Sequence, residues 1–200
     1  IGAVWSSCSP DFGIKGVLDR FGQIKPKVLF TANGYFFKGK SLDSISRVAE
    51  ILKDLPSIEK VIVVPYTENE PDISAIPKAV HYGEFLAKES GLKIQFEQLP
   101  FEHPLYIMFT SGTTGDSKGA VITSGVILNL VRGASNALGL GPGDRRPMLF
   151  PLSLAVASYP MFLPLLNGGA LATLDVRSVC LDPLGPFLES ERITVAYMAP

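Results

Sequence analysis

The chain has 200 residues, enough for one domain with its own core or for part of a larger one. A hydrophobic content of 46% against 18% charged residues excludes a disordered chain. A formal net charge of -1 gives no electrostatic footing for nucleic acid or an anionic membrane surface as partner.

Taken in order, Ala3–Trp5 is a short strand candidate. Cys8 and Cys180 are too few for a disulfide framework, so both read as small buried hydrophobes in a reducing compartment, the cytoplasm. GIKGVLDRFGQI places Ile14, Val17, Leu18 and Phe21 on one helical face, with Asp11, Asp19 and Arg20 as caps or pairs. Pro26 stops that helix, and KVLFT, Lys27–Thr31, is the next strand. Asn33-Gly34 is a turn signal. Leu42, Ile45, Ala49, Leu52 and Leu55 then recur at helical spacing, capped by Ser41 and ended by Pro56. KVIVVPY is apolar without alternation, as a strand buried on both faces should be. Residues 67–85 are polar and proline-bearing, which predicts a surface connection, and a short helix is predicted over Tyr82–Glu89.

The second half alternates in the same way. LYIMF and AVIT are strands, and the spacing predicts a helix over Val126–Leu138. Its apolar side would hold Val126, Ile127, Leu130, Val131, Ala134 and Leu138. GLGPGD breaks the helix, with Asp144 and Arg145 turning into a strand over Pro147–Leu152. Val156–Leu166 reads as helix, Gly168–Leu174 as strand, Pro183–Glu191 as helix and Ile193–Met198 as strand. Strands alternating with helices predict an α/β fold of mostly parallel sheets flanked by helices. The apolar run from Leu149 to Leu166 is cut by Pro151, Pro160 and Pro164, so it predicts strand plus buried helix and no membrane span. The start at Ile1, without a charged leader, and the stop just after an apparent strand lead us to expect further sequence at both ends.

One stretch carries chemistry: YIMFTSGTTGDSKGAV, Tyr106–Val121. Glycines let a backbone approach an anion closely, and successive amide N–H groups can form a nest for phosphate oxygens. The hydroxyls of Thr110, Ser111, Thr113 and Thr114 add donors, and Lys118 adds one mobile positive charge. The loop follows a strand, where α/β sheets place ligands. It is not a Walker A loop, because Ser117 precedes Lys118 and Gly119 follows it. It contains no Gly-x-Gly-x-x-Gly fingerprint either. Composition alone leaves two readings open, a phosphate cradle and an ordinary connection. His81 and His103 lack metal-ligand spacing, so no resident metal site is predicted, and His103 falls at a strand entrance. Phe36, Phe37 and Tyr159 read as core.

The stretch YIMFTSGTTGDSKG resembles the phosphate-loop signature of the adenylate-forming superfamily, which includes acyl-CoA synthetases, peptide-synthetase adenylation domains and luciferases. It departs from the usual form only at Ser117, where proline is usual; this loosens the loop slightly and removes no donor. Residues 1–118 resemble one branch more closely, the acetoacetyl-CoA synthetases, along GAVWSSCSPDFGIKGVLDRFGQIKPKVLF, LPSIEKVIVVPY and FEQLPFEHPLYIMFTSGTTG. From Gly119 onward the pattern looks more like the superfamily at large. Trp5 is the lone tryptophan, and Ser153 and Leu154 stand where many acyl ligases carry an aromatic residue or histidine.

The resemblance implies a fragment of the large N-terminal ATP- and acyl-binding domain over residues 1–200, with the lysine-bearing C-terminal domain outside it. It implies ATP, Mg2+ and coenzyme A as cofactors and a carboxylic acid as substrate. Thr110, Ser111, Gly112, Thr113, Thr114, Gly115 and Lys118 would hold the nucleotide, with Lys118 as the catalytic cation. A carrier protein in place of coenzyme A, and a catalytically incomplete nucleotide-binding fragment, are the alternatives.

Overall fold

The structure is a computed structural model that describes residues 1–37, 39–89, 91–109, 117–150, 158–174 and 183–196. The chain divides into two compact units. One is built from Cys8–Phe96 and Thr114–Ser117; the other from Ile1–Ser7, Glu97–Thr113 and Lys118–Pro200.

In the first unit a short 3-10 turn at Pro10–Phe12 leads into helix α1, Gly13–Ile24. Ile14, Val17, Leu18, Phe21 and Ile24 form its inward face, as the spacing requires. Strand β1, Val28–Ala32, is followed by a hairpin of β2, Gly34–Phe37, and β3, Lys40–Asp43. The chain bends at Asn33, between β1 and β2, where the turn signal lies. Asn33 is buried, its Oδ1 accepting from the Tyr66 and Thr67 N–H groups. Gly34 is needed because a Cβ there would lie 2.7 Å from the Leu42 carbonyl oxygen. The hairpin of β2 and β3 turns at Gly39. Phe36 and Phe37, read as core, are exposed on it.

Helix α2, Ile45–Asp54, starts later than the spacing indicated, because Ser41 and Leu42 are spent on β3. The Asp43 carboxylate accepts from the Ile45 and Ser46 N–H groups and does the capping expected of Ser41. Strand β4, Lys60–Val64, pairs in parallel with β1, and with β5, Ala79–His81, on its other edge. Val61, Ile62 and Val63 are each 0% exposed. Val61 and Val63 face the core of α1 and α2, and Ile62 points to the opposite face, as alternation requires. On that face Phe30 of β1 meets Phe85 edge-on at 5.5 Å. The polar connection over residues 67–85 thus hides a strand, and it buries Ile76. The helix after it, α3, spans only Tyr82–Phe85.

In the second unit β6, Pro104–Phe109, pairs antiparallel with β7, Gly119–Thr123, a departure from the parallel expectation. The Ala3–Trp5 candidate reduces to one parallel bridge, Trp5 to Tyr106, on the other edge of β6. Helix α4, Ser124–Leu138, is capped by Thr123 Oγ1, which accepts from the Val126 N–H, and ends at Gly139. Its buried stripe is Ile127 and Val131 with Ala134; Val126, Leu130 and Leu138 are about half exposed, so the predicted face was too wide. Strand β8, Arg145–Met148, pairs in parallel with β9, Ala170–Thr173, and helix α5, Ser158–Leu166, lies between them in sequence. Leu163 is 0% exposed in the shared core with α4. Asn167 Nδ2 donates to Ser135 Oγ and to the Leu163 carbonyl, tying α4 to α5. Helix α6 spans Leu184–Ser190. Residues 193–196 are not a strand, although the Thr194 and Val195 N–H groups reach the Arg145 carbonyl. Among the described residues no helix is long and apolar enough to cross a membrane. The fold is α/β, with parallel strands in two sheets and helices beside them.

Candidate functional site

The antiparallel ladder of β6 and β7 decides where the Gly/Ser/Thr loop begins and ends. Its register closes on Phe109 opposite Gly119, so the connection over residues 110–118 leaves and re-enters at neighbouring backbone positions. Gly119 packs hard against this mouth. A Cβ there would meet Ile107 Cγ2 at 3.1 Å and Phe109 Cε1 at 3.2 Å, so a side chain would push on both strands' packing. Phe109 is itself buried.

Six of the seven residues expected at the nucleotide, Thr110, Ser111, Gly112, Thr113, Thr114 and Gly115, lie outside the described residues, as do Cys180, Ser153 and Leu154. The seventh, Lys118, is exposed and makes no ion pair with a described residue. Ser117, just before it, is half-buried, and its carbonyl accepts from Gln23 Nε2 at 2.7 Å. Gln23 also donates to the Asp19 carbonyl at 2.6 Å. Sequence reasoning missed Gln23, because its partner lies 94 residues away and nothing in the local pattern marks it.

By composition the stretch 110–119 suits a polyphosphate: it holds hydroxyls, glycines and one lysine, with no carboxylate other than Asp116. Among the described residues no group of three His, Cys, Asp or Glu could hold a metal ion. His103 sits at the entrance to β6 and donates Nε2–H to the Gly2 carbonyl at 3.0 Å, a packing role. Arg20 donates to the Gly16 carbonyl and lies over the Phe12 ring, 4.2 Å from its centre, within its own helix and turn.

Electrostatics mark structural positions. Burial pushes the Cys8 thiol up to about 11, against the smaller opposing pull of Arg20. Burial also raises the Tyr106 hydroxyl. The Gly141 N–H, then the Thr194 hydroxyl, hold the Asp144 carboxyl below its ordinary value, with Arg146 adding to them. This fixes the turn into β8, where Arg145 pairs with Glu191 at 2.8 Å. Arg146 is buried, and its guanidinium lies 6.0 Å from the centre of the Tyr159 ring.

A strand leads into a glycine- and hydroxyl-rich connection that ends in one lysine, and a second strand returns from it. The chain belongs to the AMP-binding enzyme family, which it matches over residues 1–200. It is 47% identical over 130 residues to an acetoacetyl-CoA synthetase of Macaca fascicularis, covering 62% of this chain and 19% of that protein. It is 36% identical over 201 residues to the acetoacetyl-coenzyme A synthetase of Rhizobium meliloti (strain 1021), covering 100% of this chain and 29% of that protein. The likeness to this branch therefore runs past Gly119 to the end of the chain. The solved acetoacetyl-CoA synthetase from Streptomyces lividans superposes with a TM-score of 0.82 at 31% identity, over 98% of this chain and 30% of that one. The chain spans about one fifth to one third of the length of these relatives.

Proposed function

We propose that this chain is part of the N-terminal ATP- and acyl-binding domain of an acid–thiol ligase of the acetoacetyl-CoA synthetase kind, acting in the cytoplasm. The substrates are a short carboxylic acid, acetoacetate first, then ATP and coenzyme A. A carboxylate oxygen attacks the α-phosphorus of ATP, the bond to pyrophosphate breaks, and an acyl-adenylate forms. The thiol of coenzyme A then attacks the acyl carbon, and AMP leaves. The barrier is electrostatic: two anions must meet, and negative charge builds on the departing pyrophosphate. Preorganised donors lower such a barrier where the charge develops. In this reading the amides and hydroxyls of Thr110, Ser111, Gly112, Thr113, Thr114 and Gly115 cradle the phosphates, and Lys118 neutralises the β- and γ-phosphate charge. Mg2+, when bound to the nucleotide, supplies further neutralisation. No nucleophilic side chain is required; positioning and charge are enough.

One observation carries the reading: the signature loop hangs from the closing pair of an antiparallel ladder, Phe109 with Gly119, and leaves Lys118 exposed and free of a described ion-pair partner. The test is ATP–pyrophosphate exchange with acetoacetate in the full-length protein. Lys118→Ala should slow exchange about a hundredfold, the usual cost of removing one charge-stabilising donor, with the melting temperature unchanged. Exchange at the wild-type rate in that variant would refute the assignment of Lys118.

A further inference from the structure

We propose that the guanidinium of Arg146, held between β8 and α5 in the second unit, is a buried receptor for one carboxylate. Arg146 is 2% exposed and is one of the largest fully buried side chains among the described residues. Its Nε and Nη1 are shut off from solvent and have no hydrogen-bond partner. No described residue forms an ion pair with it. The adjacent arginine shows the satisfied state. Side chains alternate along a strand, so Arg145 leaves β8 on the opposite side. There its Nε donates to the Glu191 carbonyl, and its Nη2 donates to Glu191 Oε2 at 2.8 Å. Asp144, the acid closest to Arg146 in sequence, is engaged elsewhere. Its Oδ2 accepts from the Gly141 N–H and its Oδ1 from the Thr194 hydroxyl, each at 2.8 Å.

The packing around Arg146 does not offset its charge. The Tyr159 ring of α5 has its centre 6.0 Å from the guanidinium carbon, the outer reach of a cation–π contact. Met148, on the same side of β8, is buried, and Leu163 of α5 is 0% exposed. A cation taken out of water into such packing needs a counter-ion; a water molecule could fill a donor but would not cancel the charge. One carboxylate matches in charge and in shape, because its two oxygens meet the planar fork of guanidinium N–H groups. A phosphate would bring more charge than one guanidinium can offset. The carboxylate can come from a small free acid or from an aspartate or glutamate of the full-length protein.

A crystal structure of the full-length protein, grown with sodium acetate, tests the site directly. It should place a carboxylate, of acetate or of an acidic side chain, within about 3.2 Å of Arg146 Nε or Nη1. Melting temperatures then separate the two sources. If a free acid fills the site, sodium acetate should raise the wild-type value by a few degrees over sodium chloride of equal ionic strength. Acetamide should give no such rise, and Arg146→Met should abolish it. If a side chain fills the site, Arg146→Met should melt well below wild type in either salt, because it strands a buried carboxylate, and Arg146→Lys should recover part of the loss. A structure with no carboxylate at Arg146 overturns the proposal. Acetate at Arg146 in the crystal without an acetate effect on melting is binding at crystal concentration only, and overturns it as well. So does a wild type indifferent to acetate together with an Arg146→Met variant of equal or higher melting temperature.

Discussion

Strands β4 and β7 have the same length and similar β-branched content, KVIVV against GAVIT, yet opposite environments. Val61, Ile62 and Val63 of β4 are 0% exposed, whereas Val121 of β7 is 56% exposed. The difference lies in the neighbours. Strand β4 has a parallel partner on each edge and apolar cover on each face. Strand β7 has one hydrogen-bonded neighbour among the described residues and turns its outer positions to solvent. A strand sealed all round is a core element; a strand with an open edge is where a connection can reach solvent.

If burial is what separates the two, substitutions should grade accordingly. Ile62→Ala, in the sealed strand, should cost about 3 kcal/mol, read as a shift in the urea midpoint. Gly119→Ala, at the tight mouth of the loop, should cost about 1 kcal/mol by overpacking against Ile107 and Phe109. An effect confined to alkaline pH is expected of Cys8, which packs against the β4 core. Its folded-state value is raised from 9.0 to about 11, so the unfolded thiol ionises first. Stability is therefore intact below about pH 9 and declines as pH rises toward 11, and Cys8→Ser should flatten that decline in alkaline unfolding curves. Val121→Ser, on the open strand, should stay within about 0.5 kcal/mol of wild type. A loss at Val121 as large as that at Ile62 would remove the distinction.

The sequence announced the sealed strand plainly, because three consecutive apolar residues buried on alternate faces leave no polar position. Helix α1 was equally legible, since its spacing matches one buried stripe. Strand β5 was not, because only three residues pair and they sit among prolines and charges. The hairpin carried no local signal of its own: Asn33 and Gly34, the strongest local turn pair, mark the bend before it and serve a buried hydrogen bond and a close backbone approach. The Gly/Ser/Thr connection stands out through its composition and its likeness to a known signature. Its antiparallel setting and its tie to Gln23 depend on contacts far apart in the chain, which no local window contains.

The closing register of Phe109 with Gly119 bears on how this part of the molecule can be altered. A residue added within the connection leaves every rung of the ladder in step. A residue added inside β6 instead swaps the two sides of the strand from that point on. The connection can thus be exchanged as a cassette between members of the family, while its bordering strands tolerate substitution but not a change in length.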